Sequence, residues 1–246
     1  MSAYGSLARW YDALTGDVPY EELADAYEAL LHRDGREKLT LLDLACGTGT
    51  LSCIMAQRGH EMICADVSPD MLAVAREKAE SAAPQTAPIF LCQEAAELDL
   101  YGTVEGAYCS LDAMNYIPPE ELAEVFHRLH LFIEPEGVFA FDFQSPERLR
   151  ALDGGSFSDE EDGVVCLWRG EFDEEEGALY YSMDIFSSRP DSLWERRTEE
   201  HIEYAHTPEA LTAALRSAGF HDVRVITDGV QSDMGRLFIS AVNGTH

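Results

Sequence analysis

An apolar run, Leu39 to Ala45, leads directly into Cys46-Gly47-Thr48-Gly49 and then into an amphipathic stretch that ends at Arg58 and Gly59. A strand that is apolar throughout must be covered on both faces, the condition of a strand inside a parallel sheet. The two glycines let the backbone turn tightly and approach a ligand closely. The helix that follows offers unpaired N–H groups at its start. The alternation repeats down the chain. Glu61–Ala65 reads as a second strand, and Pro69–Ala83 as a helix with Met71, Leu72, Ala75 and Ala79 at helical spacing. Ile89–Cys92 and Val104–Ser110 read as strands, Pro119–Ile133 as a helix and Gly137–Phe143 as a fifth strand. This β-α-β-α order predicts an α/β fold on a mostly parallel sheet.

The pattern breaks near Ser145. Val164–Arg169, Ala178–Phe186 and Thr198–Ala205 read as short antiparallel strands of an insertion. The acidic runs Asp159–Asp162 and Asp173–Glu176 are expected at solvated turn tips. Thr207-Pro208 then caps a helix that runs to Ser217, and Val223–Thr227 and Arg236–Val242 close the sheet. The domain reading is a ligand-binding α/β unit over 1–145 with an N-terminal helical lid, an antiparallel β insertion over 146–205 on the substrate side, and a return to the α/β unit over 206–246.

Charge narrows the partners. The chain of 246 residues holds 46 Asp and Glu against 17 Lys and Arg, a formal net charge of −29. Affinity for nucleic acid and for anionic membranes comes largely from basic residues, so neither is an expected partner. No apolar run approaches the roughly 20 residues that span a bilayer, and the first residues lack the pattern of a signal peptide. A cytoplasmic protein is expected. The six cysteines show no CxxC spacing and read as small buried hydrophobes. His127 and His130 lie three apart on a sheet-covering helix, and no metal site is expected.

Asp66 ends the second strand nineteen residues past Gly47. An acid there is placed to accept the ribose hydroxyls of an adenosine. A dinucleotide also needs a third glycine, and that position is Ser52. Asp43, near the end of the first strand, suits the ammonium and sulfonium of the phosphate-free S-adenosylmethionine better than a pyrophosphate.

Asp43-Leu44-Ala45-Cys46-Gly47-Thr48-Gly49, Ala65-Asp66-Val67-Ser68-Pro69-Asp70-Met71-Leu72, Gln93-Glu94-Ala95-Ala96-Glu97-Leu98 and Ser110-Leu111-Asp112-Ala113-Met114-Asn115-Tyr116-Ile117 follow one another in the order of four motifs. With Phe132–Phe139 they resemble the class I S-adenosylmethionine-dependent methyltransferases, of the bacterial small-molecule type with a β-rich insertion. Ala45 stands where glycine is more usual, Glu94 replaces the commoner aspartate, and Gly106 stands where many relatives carry an acid. The resemblance implies a Rossmann-like, mostly parallel sheet of seven strands with the last antiparallel. It implies S-adenosyl-L-methionine as cofactor, leaving as S-adenosyl-L-homocysteine. The cofactor would be held by Asp43, Ala45, Gly47, Gly49, Asp66, Val67, Met71, Glu94, Ala95 and Ser110.

Methyl transfer from a sulfonium is an in-line displacement that depends mainly on alignment, so a general base is optional. Tyr4, Tyr11, Asn115, Tyr116 and His201 are the residues expected near a small-molecule acceptor, with Tyr11 and His201 the candidates for catalysis. Tyr4, Trp10 and Tyr11 fit either a lid or a helix face packed on the core. Trp168, Tyr180 and Tyr181 are expected in the core of the small sheet. A monomer or homodimer is expected. The competing readings are a protein that binds the cofactor without catalysis and a nicotinamide oxidoreductase.

Overall fold

Leu41 and Leu42 are both fully buried, yet they sit in different hydrophobic clusters. Neighbouring residues of a strand point to opposite faces, so the strand they share lies between two layers. The computed structural model describes residues 7–32, 35, 37–82, 86–161, 163–189, 193–227 and 236–245. The chain opens with α1 (Tyr11–Leu14) and α2 (Tyr20–Leu31). Then come β1 (Thr40–Leu44), α3 (Thr50–Arg58), β2 (Glu61–Asp66), α4 (Pro69–Ala82) and β3 (Ile89–Cys92). A 3-10 turn, Ala95–Glu97, leads to β4 (Val104–Cys109), and a second, Ala113–Tyr116, to α5 (Leu122–Phe132) and β5 (Ile133–Gln144).

After α6 (Pro146–Arg150) four strands follow: β6 (Ser156–Glu161), β7 (Val164–Asp173), β8 (Ala178–Ser188) and β9 (Trp194–Tyr204). The chain closes with α7 (Pro208–Ser217), β10 (Phe220–Ile226) and β11 (Arg236–Asn243). The large sheet has the order β10-β11-β5-β4-β1-β2-β3. Its pairs are parallel from β3 through β5, and β11 runs antiparallel to both β5 and β10. The seven-stranded sheet with an antiparallel last strand is thus as expected. Leu42, Leu44, Phe139, Phe141 and Phe143 pack on one face with α5 and α7, and Leu41, Tyr108 and Phe238 pack on the other with α2 and α3.

Three expectations need correction here. The inserted sheet, β6-β7-β8-β9, has four strands, not three. Asp159–Glu161 lies in the exposed edge strand β6, not at a turn tip, whereas Glu174–Glu176 does form a turn. Charged residues on an edge strand also discourage pairing with another chain. Tyr180 is the third correction. Adjacent strand residues face opposite ways, so Tyr181 packs edge-on against Trp168 at 6.2 Å while Tyr180 lies exposed on the outer face.

The inserted sheet does not stand alone. Leu7, Trp10, Tyr11 and Leu14 pack with Val164, Cys166, Met183 and Ile185 in a third cluster. The short N-terminal helix α1 is therefore wedged between the insertion and the carboxyl ends of β1 and β4. No described helix is long and apolar enough to cross a membrane.

Candidate active site

The strand order reverses between β1 and β4, and open α/β sheets bind ligands at such switch points, beyond the carboxyl ends of the strands. A cavity of about 370 Å³ opens there. Its wall begins with the turn after β1, where Ala45 (φ 59), Gly47 (φ 54) and Gly49 (φ 70) all take the left-handed conformation. Ala45 does so with a side chain, a strained choice of the kind that gathers at functional sites. The two glycines differ in purpose. A Cβ on Gly47 would meet nothing within 4 Å, so its hydrogen leaves the cavity wall open. A Cβ on Gly49 would stand 3.0 Å from the Ala75 Cβ, so its hydrogen lets α3 pack against α4.

Asp66 fixes this turn. Its Oδ2 accepts the Gly47 N–H at 2.8 Å and its Oδ1 the Ser68 N–H at 2.8 Å. Burial pushes the Asp66 carboxyl up, opposed by those two hydrogen bonds. Val67, Met71, Glu94 and Ala95 continue the wall, and Ser110 lies at the end of β4. Gln93, beside Glu94, also lines the cavity, and no signal in the sequence marks it as a contact.

The other end of the cavity is lined by Tyr11, Tyr20, Leu111 and Tyr116. Leu111 and Asp112 are consecutive non-glycine residues with φ of 58 and 55. Asp142, fully buried on β5, holds them there: its Oδ1 accepts the Leu111 N–H at 2.8 Å and its Oδ2 the Asp112 N–H at 2.9 Å. The Tyr27 hydroxyl lies 2.6 Å from Asp142, and Arg236 reaches both Asp112 and Asp142 at 3.2 and 3.4 Å. Burial raises the Tyr11 phenol far above its ordinary value.

Asp12, next to Tyr11, latches α1 over the glycine turn. Its Oδ1 accepts hydrogen bonds from Thr48 at 2.6 Å and from Lys78 at 2.8 Å. Nothing in the spacing of Asp12, Thr48 and Lys78 along the chain shows this contact.

Four sequence-derived site residues lie elsewhere than expected. Asp43 does not line the cavity. It is buried behind the turn, where its Oδ2 accepts Ser52 Oγ at 2.5 Å and the Tyr108 hydroxyl at 2.9 Å. Burial pushes its carboxyl up to about 7. Gly49, as above, serves helix contact. Asn115 is fully buried and saturated by backbone: its Nδ2 donates to the carbonyls of Gln144 and Tyr204 at 3.1 and 2.9 Å, and its Oδ1 accepts the Gln144 N–H at 2.8 Å. It joins the inserted sheet to the large sheet and has little capacity left for an acceptor. His201 is buried behind Tyr116, ring edge to ring face at 5.9 Å, with its Nε2 3.4 Å from Glu199, and it does not reach the cavity. Tyr4 lies outside the described residues.

Among the described residues, no Lys, Arg or His lines the cavity, while Asp66, Glu94 and Glu121 do. This lining suits a cationic, phosphate-free ligand and brings no cationic side chain to a pyrophosphate. A family model of the methyltransferase domain matches residues 41–137. The demethylmenaquinone methyltransferase of Thermus thermophilus is 51% identical over 184 residues, covering 73% of each chain. The chain belongs to the class I S-adenosylmethionine-dependent methyltransferases. The putative methyltransferase YqeM of Bacillus subtilis is 28% identical over 245 residues, 97% of this methyltransferase and 96% of YqeM. An S-adenosylmethionine-dependent methyltransferase from Clostridium acetobutylicum shares the fold at a TM-score of 0.81 and 25% identity, covering 98% of this chain and 99% of that one. The sugar N-methyltransferase KedS8 from Streptoalloteichus does so at a TM-score of 0.74 and 22% identity, covering 92% and 87%.

The residues present fit the cofactor. Both Asp66 oxygens keep lone pairs beyond those facing Gly47 and Ser68, enough for two ribose hydroxyls. The open space at Gly47 leaves room for the amino-acid portion. Glu94 and Ala95 line the cavity and would hold the adenine edge, with Val67 and Met71 in apolar contact with its ring. When bound, S-adenosylmethionine supplies a methyl group already activated by a positive sulfur. The protein supplies alignment and exclusion of water.

Proposed function

We propose that this methyltransferase acts on a small-molecule acceptor held at the Tyr11–Tyr116 end of the cavity. The observation that carries the reading is the roof. Tyr11 lines the cavity while also packing against the inserted sheet, and the neighbouring Asp12 is tied to the glycine turn. A bulky polymer would have to displace α1 to reach the methyl group, whereas a metabolite fits beneath it. In this reading residues 1–145 and 206–246 hold the cofactor, and 146–205 supply the acceptor side. The fold shared with a sugar N-methyltransferase is in keeping with a small acceptor. The net charge of −29 speaks against RNA or DNA as substrate and against an anionic membrane as partner.

The test is transfer of labelled methyl from S-adenosylmethionine into two fractions of a cell extract, the low-molecular-mass metabolites and the macromolecules. Label should enter the metabolite fraction. Label entering RNA, DNA or protein would overturn the reading.

A further inference from the structure

Beyond β4 the chain takes a turn that it would not take unaided. Leu111 and Asp112 are both left-handed, a region that a Cβ makes costly. Such a conformation persists only where its surroundings over-determine it. Here the surroundings converge on one carboxylate. Asp142, fully buried on β5, meets four donors from three other parts of the chain. Its Oδ1 accepts the Leu111 N–H at 2.8 Å and the Tyr27 hydroxyl of α2 at 2.6 Å. Its Oδ2 accepts the Asp112 N–H at 2.9 Å and Arg236 Nη1 of β11 at 3.4 Å. Asp112 is itself held, with its Oδ2 accepting Arg236 Nη2 at 3.2 Å and Gln144 Nε2. Leu111 and Ala113, on either side of Asp112, line the cavity. We propose that Asp142, assisted by Arg236, is a positioning residue for methyl transfer, fixing the Leu111 turn as the surface against which the acceptor is aligned. This rests on the small-molecule methyltransferase reading given above.

The role requires a group that only accepts. Asparagine at 142 has nearly the same shape, but one of its two oxygens becomes an NH2. Whichever way that amide faces, it sets donor against donor, either at the Leu111 N–H and Tyr27 or at the Asp112 N–H and Arg236. The left-handed pair then loses half of what holds it. Asp66 and Glu94, assigned above to the ribose and the adenine, lie at and just beyond the ends of β2 and β3. A displaced Leu111 turn should therefore disturb the acceptor more than the grip on the cofactor. An in-line displacement tolerates little misalignment, and an error of about 1 Å can cost up to roughly 100-fold in rate.

Two measurements test this. The first needs no acceptor. In protein carrying labelled leucine methyl groups and saturated with S-adenosylhomocysteine, the Leu111 signals are assigned by their loss in Leu111→Val. They should shift or broaden in Asp142→Asn. Signals that superimpose on those of the wild type overturn the proposal. The second is the rate of labelled methyl transfer from saturating S-adenosylmethionine into the low-molecular-mass fraction of a cell extract, read across dilutions of that fraction. Asp142→Asn should lower the maximal rate by roughly 10- to 100-fold, with half-saturation little changed. Its calorimetric affinity for S-adenosylhomocysteine should stay within about 3-fold of the wild type. Asn243→Ala is the structural control. Asn243 is fully buried and its Nδ2 donates to the carbonyls of His130, Ile133 and Glu134, at the opposite end of β5 from the cavity. It should shift the urea midpoint and leave the rate as it was. A wild-type rate in Asp142→Asn, an equal loss of rate and of S-adenosylhomocysteine affinity, or an equal loss of rate in Asn243→Ala overturns the proposal. If Asp142→Asn does not fold, Arg236→Lys decides. It keeps the charge but offers one ammonium where two guanidinium nitrogens reach two carboxylates, and it should lose roughly 3- to 10-fold in rate. A wild-type rate there overturns the proposal. A wild type that binds S-adenosylhomocysteine and labels no metabolite overturns the small-molecule reading, and the proposal falls with it. Labelling by the wild type with no effect of either variant overturns the positioning role alone.

Discussion

The Gly47 N–H and the Asp66 carboxylate meet at 2.8 Å, joining the turn after β1 to the end of β2. Neither residue is merely a wall of the cavity. Asp66 sets the geometry of the turn, and the turn leaves open space at the cavity wall. Two residues nineteen apart in sequence therefore form one structural unit of the cavity wall.

Replacing Asp66 should weaken the cofactor more than the fold. Asp66→Asn keeps one acceptor oxygen and loses the charge. A hydrogen bond to a charged group is worth about 1.5–3 kcal/mol, so S-adenosylmethionine affinity should fall by roughly 10- to 150-fold. Isothermal titration measures this directly. Equal affinity in wild type and variant would remove Asp66 from the ribose contact.

Asp43 should make the cofactor-free protein less stable as pH rises. Its carboxyl is pushed from 3.8 up to about 7 on folding. Below about pH 4 it is protonated in both folded and unfolded states and carries no penalty. Between about pH 4 and 7 the unfolded chain ionises first, so stability drains away, and above about 7 the loss is complete. The full loss is up to roughly 4 kcal/mol. Asp43→Asn should therefore gain stability relative to wild type across that window in urea titrations. Parallel wild-type and variant curves would show that Asp43 is ionised without strain.

The sequence made the sheet legible because β1, β2 and β4 are buried and their apolar runs have no other use. The glycine turn and Asp66 were legible because their chemistry is local to two strand ends. Gly47 and Gly49 read alike, yet only Gly47 faces the cavity. What Gly49 does depends on Ala75, a residue on another helix. Asp43 looked like a ligand contact because it carries charge beside the turn, and only Ser52 and Tyr108 show that it is enclosed. The edge strand β6 carries no burial pattern, since all six residues are exposed. By contrast α2 could have been found: Tyr20, Leu23, Ala24, Tyr27 and Leu31 have helical spacing. So could α6, where Ser145 accepts the Arg148 N–H ahead of Pro146.

Asn115 is expected to be a structural joint. Asn115→Ala removes three hydrogen bonds from a fully buried site and leaves backbone groups of Gln144 and Tyr204 without that partner. Unfolding should become easier by roughly 2–4 kcal/mol. Denaturant titration checks this. A variant of unchanged stability and altered acceptor KM would return Asn115 to the substrate site.

Asp12 should govern how fast the cofactor leaves. Asp12→Ala frees α1 from Thr48, Thr50 and Lys78. The pair is partly exposed, and such ion pairs are worth at most about 1 kcal/mol. Stability should change little, while stopped-flow dissociation of S-adenosylhomocysteine should quicken by up to roughly 5-fold. An unchanged dissociation rate would mean that α1 is not part of the exit path.

The most direct test of the account is calorimetric titration of S-adenosylhomocysteine into the wild type and into Gly47→Val, with circular dichroism on both. The wild type should bind with a dissociation constant in roughly the micromolar range, about −8 kcal/mol. Gly47→Val fills the open space at the cavity wall and strains a residue with φ of 54. It should keep its circular dichroism spectrum and show no binding heat. A wild type that binds nothing, or a folded variant that binds as well as the wild type, would contradict the assignment of this cavity to the cofactor.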